Sequence, residues 1–164
     1  VINMKNNTFI IIAVVAILGV AGIVWGTQGS SESSQSATKQ SSTASLVVDT
    51  AQYDFGTVDI NGGKVNTEFS VTNTGEEPVM IIDGTTSCAC TSAEVGAVTF
   101  DMHNGMASSV TIAPGETKTV SATYDPLFHG PNGTGKVTRE VILKTNSVIT
   151  PEVRMRFAAD VIKS

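Results

Sequence analysis

The longest apolar stretch runs from Phe9 to Trp25, FIIIAVVAILGVAGIVW, with no charged residue inside it. At ~1.5 Å rise per residue a helix of this run matches the ~30 Å hydrocarbon layer of a bilayer. It predicts one transmembrane helix over 9–26. A secretory signal core is shorter and ends in a small-residue cleavage site. This run instead ends at Trp25, whose ring suits the headgroup region, so it is read as an uncleaved signal anchor.

After Leu46 the pattern changes to period two, the alternation of a strand with one buried face. Val65, Thr67, Phe69 and Val71 share one face of the first such segment, and Val120, Ala122 and Tyr124 one face of another. In the last segment Val153, Met155, Phe157, Ala159 and Val161 alternate with Arg154, Arg156, Ala158 and Asp160. Further strands are expected at Leu46–Asp49, Tyr53–Asp59, Val79–Asp83, Ser109–Ile112 and Val137–Lys144. Asn61-Gly62-Gly63, Asn73-Thr74-Gly75, Pro114-Gly115 and the Gly130–Gly135 loop separate them. Asn and Gly tolerate the positive φ of tight turns. About seven short strands with no helix-period segment beyond the anchor predict an all-β, Ig-like antiparallel sandwich.

Between anchor and strands lies Thr27–Ser45, TQGSSESSQSATKQSSTAS. So few apolar side chains cannot offset the entropy of ordering, and the stretch reads as a disordered linker. Such a coil has a root-mean-square reach of roughly 25 Å. The resulting plan is a cytoplasmic tail at 1–8, the anchor at 9–26, the linker at 27–45 and a folded domain at 46–162. Lys5 precedes the anchor and the next basic residue is Lys39, so the positive-inside rule places the C-terminal domain outside the cytoplasm. The expected location is the cell membrane, single-pass.

A net charge of −5 and an isoelectric point near 4.9 argue against a nucleic-acid surface. Gly130-Pro131-Asn132-Gly133-Thr134-Gly135-Lys136 has the outline of a phosphate loop. Val137 stands where the magnesium-binding hydroxyl belongs and a strand follows, so no nucleotide is expected. Neither a serine-nucleophile elbow nor a Ser-His-Asp set is present, and the chain is read as non-enzymatic.

The chemistry-bearing residues are few. Cys88 and Cys90 are the two cysteines, with one residue between them. On a regular strand they would lie ~6.6 Å apart, whereas a disulfide holds its β-carbons at ~3.5–4.5 Å. Joining them requires a bend, and such a small ring is easily reduced. Three readings stand together: two buried packing residues, a labile disulfide or redox pair, and a soft-metal site. The metal reading draws on His103, within Asp101-Met102-His103-Asn104-Gly105-Met106, and on His129, within Phe128-His129-Gly130. Thiolate and imidazole with Met102 or Met106 as a weak ligand suit copper(I), or zinc without the methionines. Cys88, Cys90, His103 and His129 are thus the candidate ligands, although no zinc-finger spacing is present.

Five motifs in order carry a family resemblance. They are Tyr53-Asp54-Phe55-Gly56, Phe69-Ser70-Val71-Thr72-Asn73-Thr74-Gly75, Ser87-Cys88-Ala89-Cys90-Thr91, Ile112-Ala113-Pro114-Gly115-Glu116, and Thr145-Asn146 with the terminal strand. Together they resemble the DUF1573 family, a bacterial family similar to immunoglobulin-like domains of the ASPM–SPD-2–Hydin type. The chain departs from it at Ala89, where the family often has glycine, and in a longer segment at Glu94–Ser109. The resemblance implies a β-sandwich with no settled activity. The function expected is a membrane-anchored, extracytoplasmic binding or structural module with a protein partner. The alternative is copper or zinc binding, or thiol redox chemistry, at the Cys-x-Cys pair.

Overall fold

The computed structural model describes residues 41–164. The predicted anchor, the cytoplasmic tail and most of the linker lie outside those residues. Ten strands follow in order: β1 (Leu46–Val48), β2 (Gln52–Asp59), β3 (Val65–Asn73), β4 (Val79–Thr86), β5 (Thr91–Val95), β6 (Val98–Asp101), β7 (Val110–Ile112), β8 (Thr117–Tyr124), β9 (Gly135–Thr145) and β10 (Glu152–Ile162). They form two five-stranded sheets, β1-β3-β8-β5-β6 and β2-β10-β9-β4-β7. Among the described residues there is no helix long and apolar enough to cross a membrane.

The period-two faces predict the core. Thr67, Phe69, Val71, Val120, Ala122 and Tyr124 point inward from one sheet, and Val153, Met155, Phe157, Ala159 and Val161 from the other. All are buried, because each sheet can remove only one face from water by covering it with the other. Outward positions of β9 and β10 carry charge instead. Glu140 receives hydrogen bonds from Arg154 at 2.9 Å and from Arg156 at 2.5 Å. These bonds, Arg156 first, hold its carboxyl below the usual carboxylate range.

Two expectations are corrected. The segment read as a longer stretch at Glu94–Ser109 begins within a hairpin, β5 paired antiparallel with β6, and these two strands bring the eight expected segments to ten. Its turn is Gly96-Ala97, both with positive φ, between the paired Val95 and Val98. Such a primed turn matches the twist of the strands, but Gly-Ala carries less turn signal than Asn-Gly. The sandwich is also not wholly antiparallel, since β2 runs parallel to β10. β1 and β2 belong to opposite sheets, so β2 crosses over and arrives in the direction of β10. The stretch read as linker also contributes to the packed domain at its C-terminal end. Ser42 and Ala44 are buried, and Ser42 bridges Ser147, where the backbone of Ser42 both donates and accepts.

β2 is an edge strand. Among the described residues nothing pairs with its outer side, and Gln52, Tyr53, Asp54, Gly56 and Thr57 are all exposed. Phe55 and Gly56 together stand opposite Ala159, a bulge made possible by Gly56 at φ +65° and closed by Asp54 Oδ1 accepting from the Gly56 amide at 2.8 Å.

Candidate functional site

The segment between β4 and β5 carries both cysteines, and backbone contacts shape it before the sulfurs enter. Ser87 N donates to the Glu140 carbonyl and Glu140 N to the Ser87 hydroxyl, at 3.0 and 2.8 Å. Thr91 N closes a turn on the Cys88 carbonyl at 3.0 Å, and Asp125 N donates to the Cys90 carbonyl at 2.9 Å. The Thr86 hydroxyl lies 3.0 Å from the Cys88 carbonyl and 2.9 Å from that of Thr91. This turn is the bend that an extended strand lacks. It brings the two Cα atoms to 5.2 Å, and Cys88 and Cys90 are joined as a disulfide.

The two sulfurs have different surroundings. Cys90 is 2 % exposed and belongs to the core, whereas Cys88 is half-buried. His129 Nε2 lies 3.3 Å from the sulfur of Cys88. On the other side, Arg139 Nε donates to the sulfur of Cys90 at 3.1 Å. Arg139 stands opposite Phe157 in the β9–β10 ladder and therefore points inward, unlike its neighbour Glu140. Among the described residues no carboxylate forms an ion pair with Arg139; its second bond goes to the Thr138 carbonyl at 2.9 Å. The inward register of Val141 and Leu143 on β9 is the sequence signal that marks Arg139, which spacing motifs passed over.

An aromatic row leads from the β2 edge toward this site. Tyr53 packs edge-on against Phe55 at 4.9 Å and Phe55 edge-on against Phe157 at 5.5 Å, while Phe157 meets Tyr124 at a tilt, 5.5 Å away. Burial raises the Tyr124 phenol above its usual value, and the Arg139 charge partly opposes that. The loop after β8 supplies the histidine. Asp125 Oδ1 accepts from Leu127 N at 3.0 Å, Gly130 N donates to the Leu127 carbonyl at 2.8 Å, and Phe128 packs edge-on against the His129 ring at 5.2 Å. Leu127 and Phe128 are left exposed beside the disulfide.

Of the four residues proposed as metal ligands, the structure brings three together. The ligand atoms of Cys88, Cys90 and His129 all lie within 4.8 Å of one another, and His103 lies outside that set. His103 belongs to a separate turn, where Asp101 Oδ1 accepts from His103 N at 2.7 Å and from Asn104 N at 2.8 Å. The Asn104 amide and these backbone donors hold the Asp101 carboxyl below its usual value. Met102 is exposed, and Met106 packs against the core. With the cysteines bonded to each other, neither offers the thiolate that a soft ion needs. A three-ligand set of Cys88, Cys90 and His129 exists only in the reduced state.

Two five-stranded sheets packed around one apolar layer, with the cysteine turn at one end, define an immunoglobulin-like β-sandwich. The family model described as "Protein of unknown function (DUF1573)" matches residues 46–161, and the chain belongs to that family. No curated protein matches the chain by sequence. Among solved structures, a protein of unknown function from Porphyromonas gingivalis W83 superposes with a TM-score of 0.56 at 15% identity, covering 71% of this chain. This chain spans about half of that protein's length, 46%. The ASH/PapD-like domain 7 of human CEP192 aligns with a TM-score of 0.45 at 14% identity, over 73% of this chain and 86% of the other. The E. coli chaperone DraB aligns at 0.45 and 9% identity, over 76% and 57%.

Proposed function

We propose that this chain is a membrane-tethered, extracytoplasmic binding module, non-enzymatic in its main role, whose partner adds an extended segment along β2. The observation that carries this reading is the β2 edge. It is an eight-residue strand with one unpaired side among the described residues, whereas the other outermost strands, β1, β6 and β7, have three or four residues. Edge strands of that length are templates for β-addition, in which main-chain hydrogen bonds supply affinity and side chains supply choice. Asp54 and Asp59 lie on β2 itself, and the chain carries a net charge of −5. The partner segment is accordingly an extended one with lysine or arginine side chains. Exposed Tyr53 supplies an aromatic contact of the kind that anchors interfaces.

The apolar run at 9–26 supports the tether, and a disulfide supports a compartment outside the reducing cytoplasm. The test places a photo-crosslinking side chain at Gln52, and in a second protein at Thr99 of β6, in the full chain in its native membrane. A discrete protein adduct from position 52, absent from position 99, is expected. Equal adducts from both positions, or none from position 52, would overturn the assignment of the β2 edge. Protease added to intact cells checks the location separately, since an extracytoplasmic domain is trimmed and a shielded one is not.

A further inference from the structure

We propose that Cys88–Cys90 is a thiol–disulfide exchange site that accepts an electron pair from a dithiol, with attack at Cys88 and release of Cys90. The two ends of the bond are built for different tasks. Exchange needs one sulfur that an incoming thiolate can reach and another that leaves readily with negative charge. Half-buried Cys88, beside the exposed His129 loop, meets the first need, and Cys90, buried against Arg139, meets the second. A guanidinium cannot lose its proton in a protein, so the Nε–H at 3.1 Å is a permanent charge-assisted donor for a thiolate formed there. A disulfide that served only as a staple would have no use for a half-buried arginine aimed at one of its sulfurs.

A thiolate of the dithiol attacks the Cys88 sulfur, the S–S bond breaks, and its electron pair leaves on Cys90, facing Arg139. The second thiolate of the reagent then attacks its own sulfur in the mixed disulfide, and that electron pair leaves on Cys88. His129, 3.3 Å from the Cys88 sulfur, is the nearby group able to hand on a proton. The dithiol ends as a disulfide, and the chain ends with two electrons more: one of the dithiol's protons rests on Cys88, the other passes to solvent, and Cys90 remains a thiolate against Arg139. The turn survives the change, because the bonds from Ser87, Thr91 and Asp125 and the Thr86 hydroxyl hold it without the S–S link. The reverse reaction uses the same two contacts.

Reduced glutathione is the probe. The oxidised full chain is exposed to it, quenched with a maleimide and mapped by mass spectrometry. Glutathione on Cys88 and maleimide on Cys90 are expected. The opposite pattern, or a bond that dithiothreitol opens only after the domain is unfolded, would overturn the proposal. Arg139→Gln is expected to slow reduction about tenfold through loss of a charged hydrogen bond, and Arg139→Lys to recover most of the rate. An unchanged rate in folded Arg139→Gln would also overturn it. Should that variant fail to fold, exposed His129→Gln provides the check: accumulation of the mixed disulfide on Cys88 supports the proposal, and wild-type kinetics throughout refute it.

Discussion

Two loops of this domain look alike on paper: Asp101–Met106 and Asp125–Gly130 each begin with an aspartate and carry one of the two histidines. Both aspartates turn inward on their own loop and accept backbone amides, Asp101 from His103 and Asn104, Asp125 from Leu127. Their outcomes differ. The first loop ends a short edge hairpin and leaves His103 outside the sulfur cluster, while the second follows β8 and sets His129 against Cys88. The aspartate organises the loop in either case. Only the position of the preceding strand decides whether the histidine meets a sulfur. β8 pairs with β5 through Tyr124 and Thr91, directly beside the cysteine turn, and that register carries His129 to its place.

The largest effect is expected in the core on the His129 side. Phe157 is fully buried and contacts both Phe55 and Tyr124. Phe157→Ala is expected to cost about 3–5 kcal/mol in chemical denaturation. A loss below about 1 kcal/mol would show that the aromatic row does not support this end of the sandwich. The next effect belongs to the His103 side. Gly84 packs under the Phe100 ring, and a β-carbon there would come within 2.8 Å of it. Gly84→Ala is therefore expected to cost about 1–3 kcal/mol by overpacking. It should displace β6 and the Asp101 loop while the rate of Cys88–Cys90 reduction stays at the wild-type value. A change in that rate would mean that the two loops are coupled.

The smallest effect concerns Glu140, the outward neighbour of Arg139. Its carboxyl is held low chiefly by Arg156 and then by Arg154. A depressed folded value stabilises the fold above the unfolded value of about 4.3, and that contribution disappears as pH falls through the folded value. The two arginines are half-exposed, so Glu140→Gln should cost under about 1 kcal/mol at neutral pH. The difference from wild type should vanish in acid. A difference that persists at pH 2 would require another cause. Set beside this solvent-screened cluster, the inward Arg139 shows how one residue's shift along β9 converts a surface ion pair into a contact with a sulfur.

Much of the fold was legible because burial in a sandwich repeats every second residue. Val120, Ala122 and Tyr124, or the five inward residues of β10, announce themselves whatever the topology. The hairpin β5–β6 escaped notice because five-residue and four-residue strands offer only two or three alternations each, and Gly96-Ala97 is a quiet turn. At the site, Cys88, Cys90 and His129 were singled out by residue type. His103 was grouped with them on the same ground, and Arg139 was missed, since an arginine within a strand reads as a surface residue until its register is known.

Residue order alone thus determined the class of fold, the buried faces, the Asn-Gly and Pro-Gly turns and the small set of reactive side chains. These are local properties, set by side-chain chemistry and by the two-residue repeat of an extended chain. Which histidine reaches the sulfurs, that β2 lies parallel to β10 at an open edge, and that Arg139 faces Cys90 were decided by tertiary structure. Each depends on how strands distant in sequence pair, and a one-residue slip in that pairing would turn every one of those side chains to the other face.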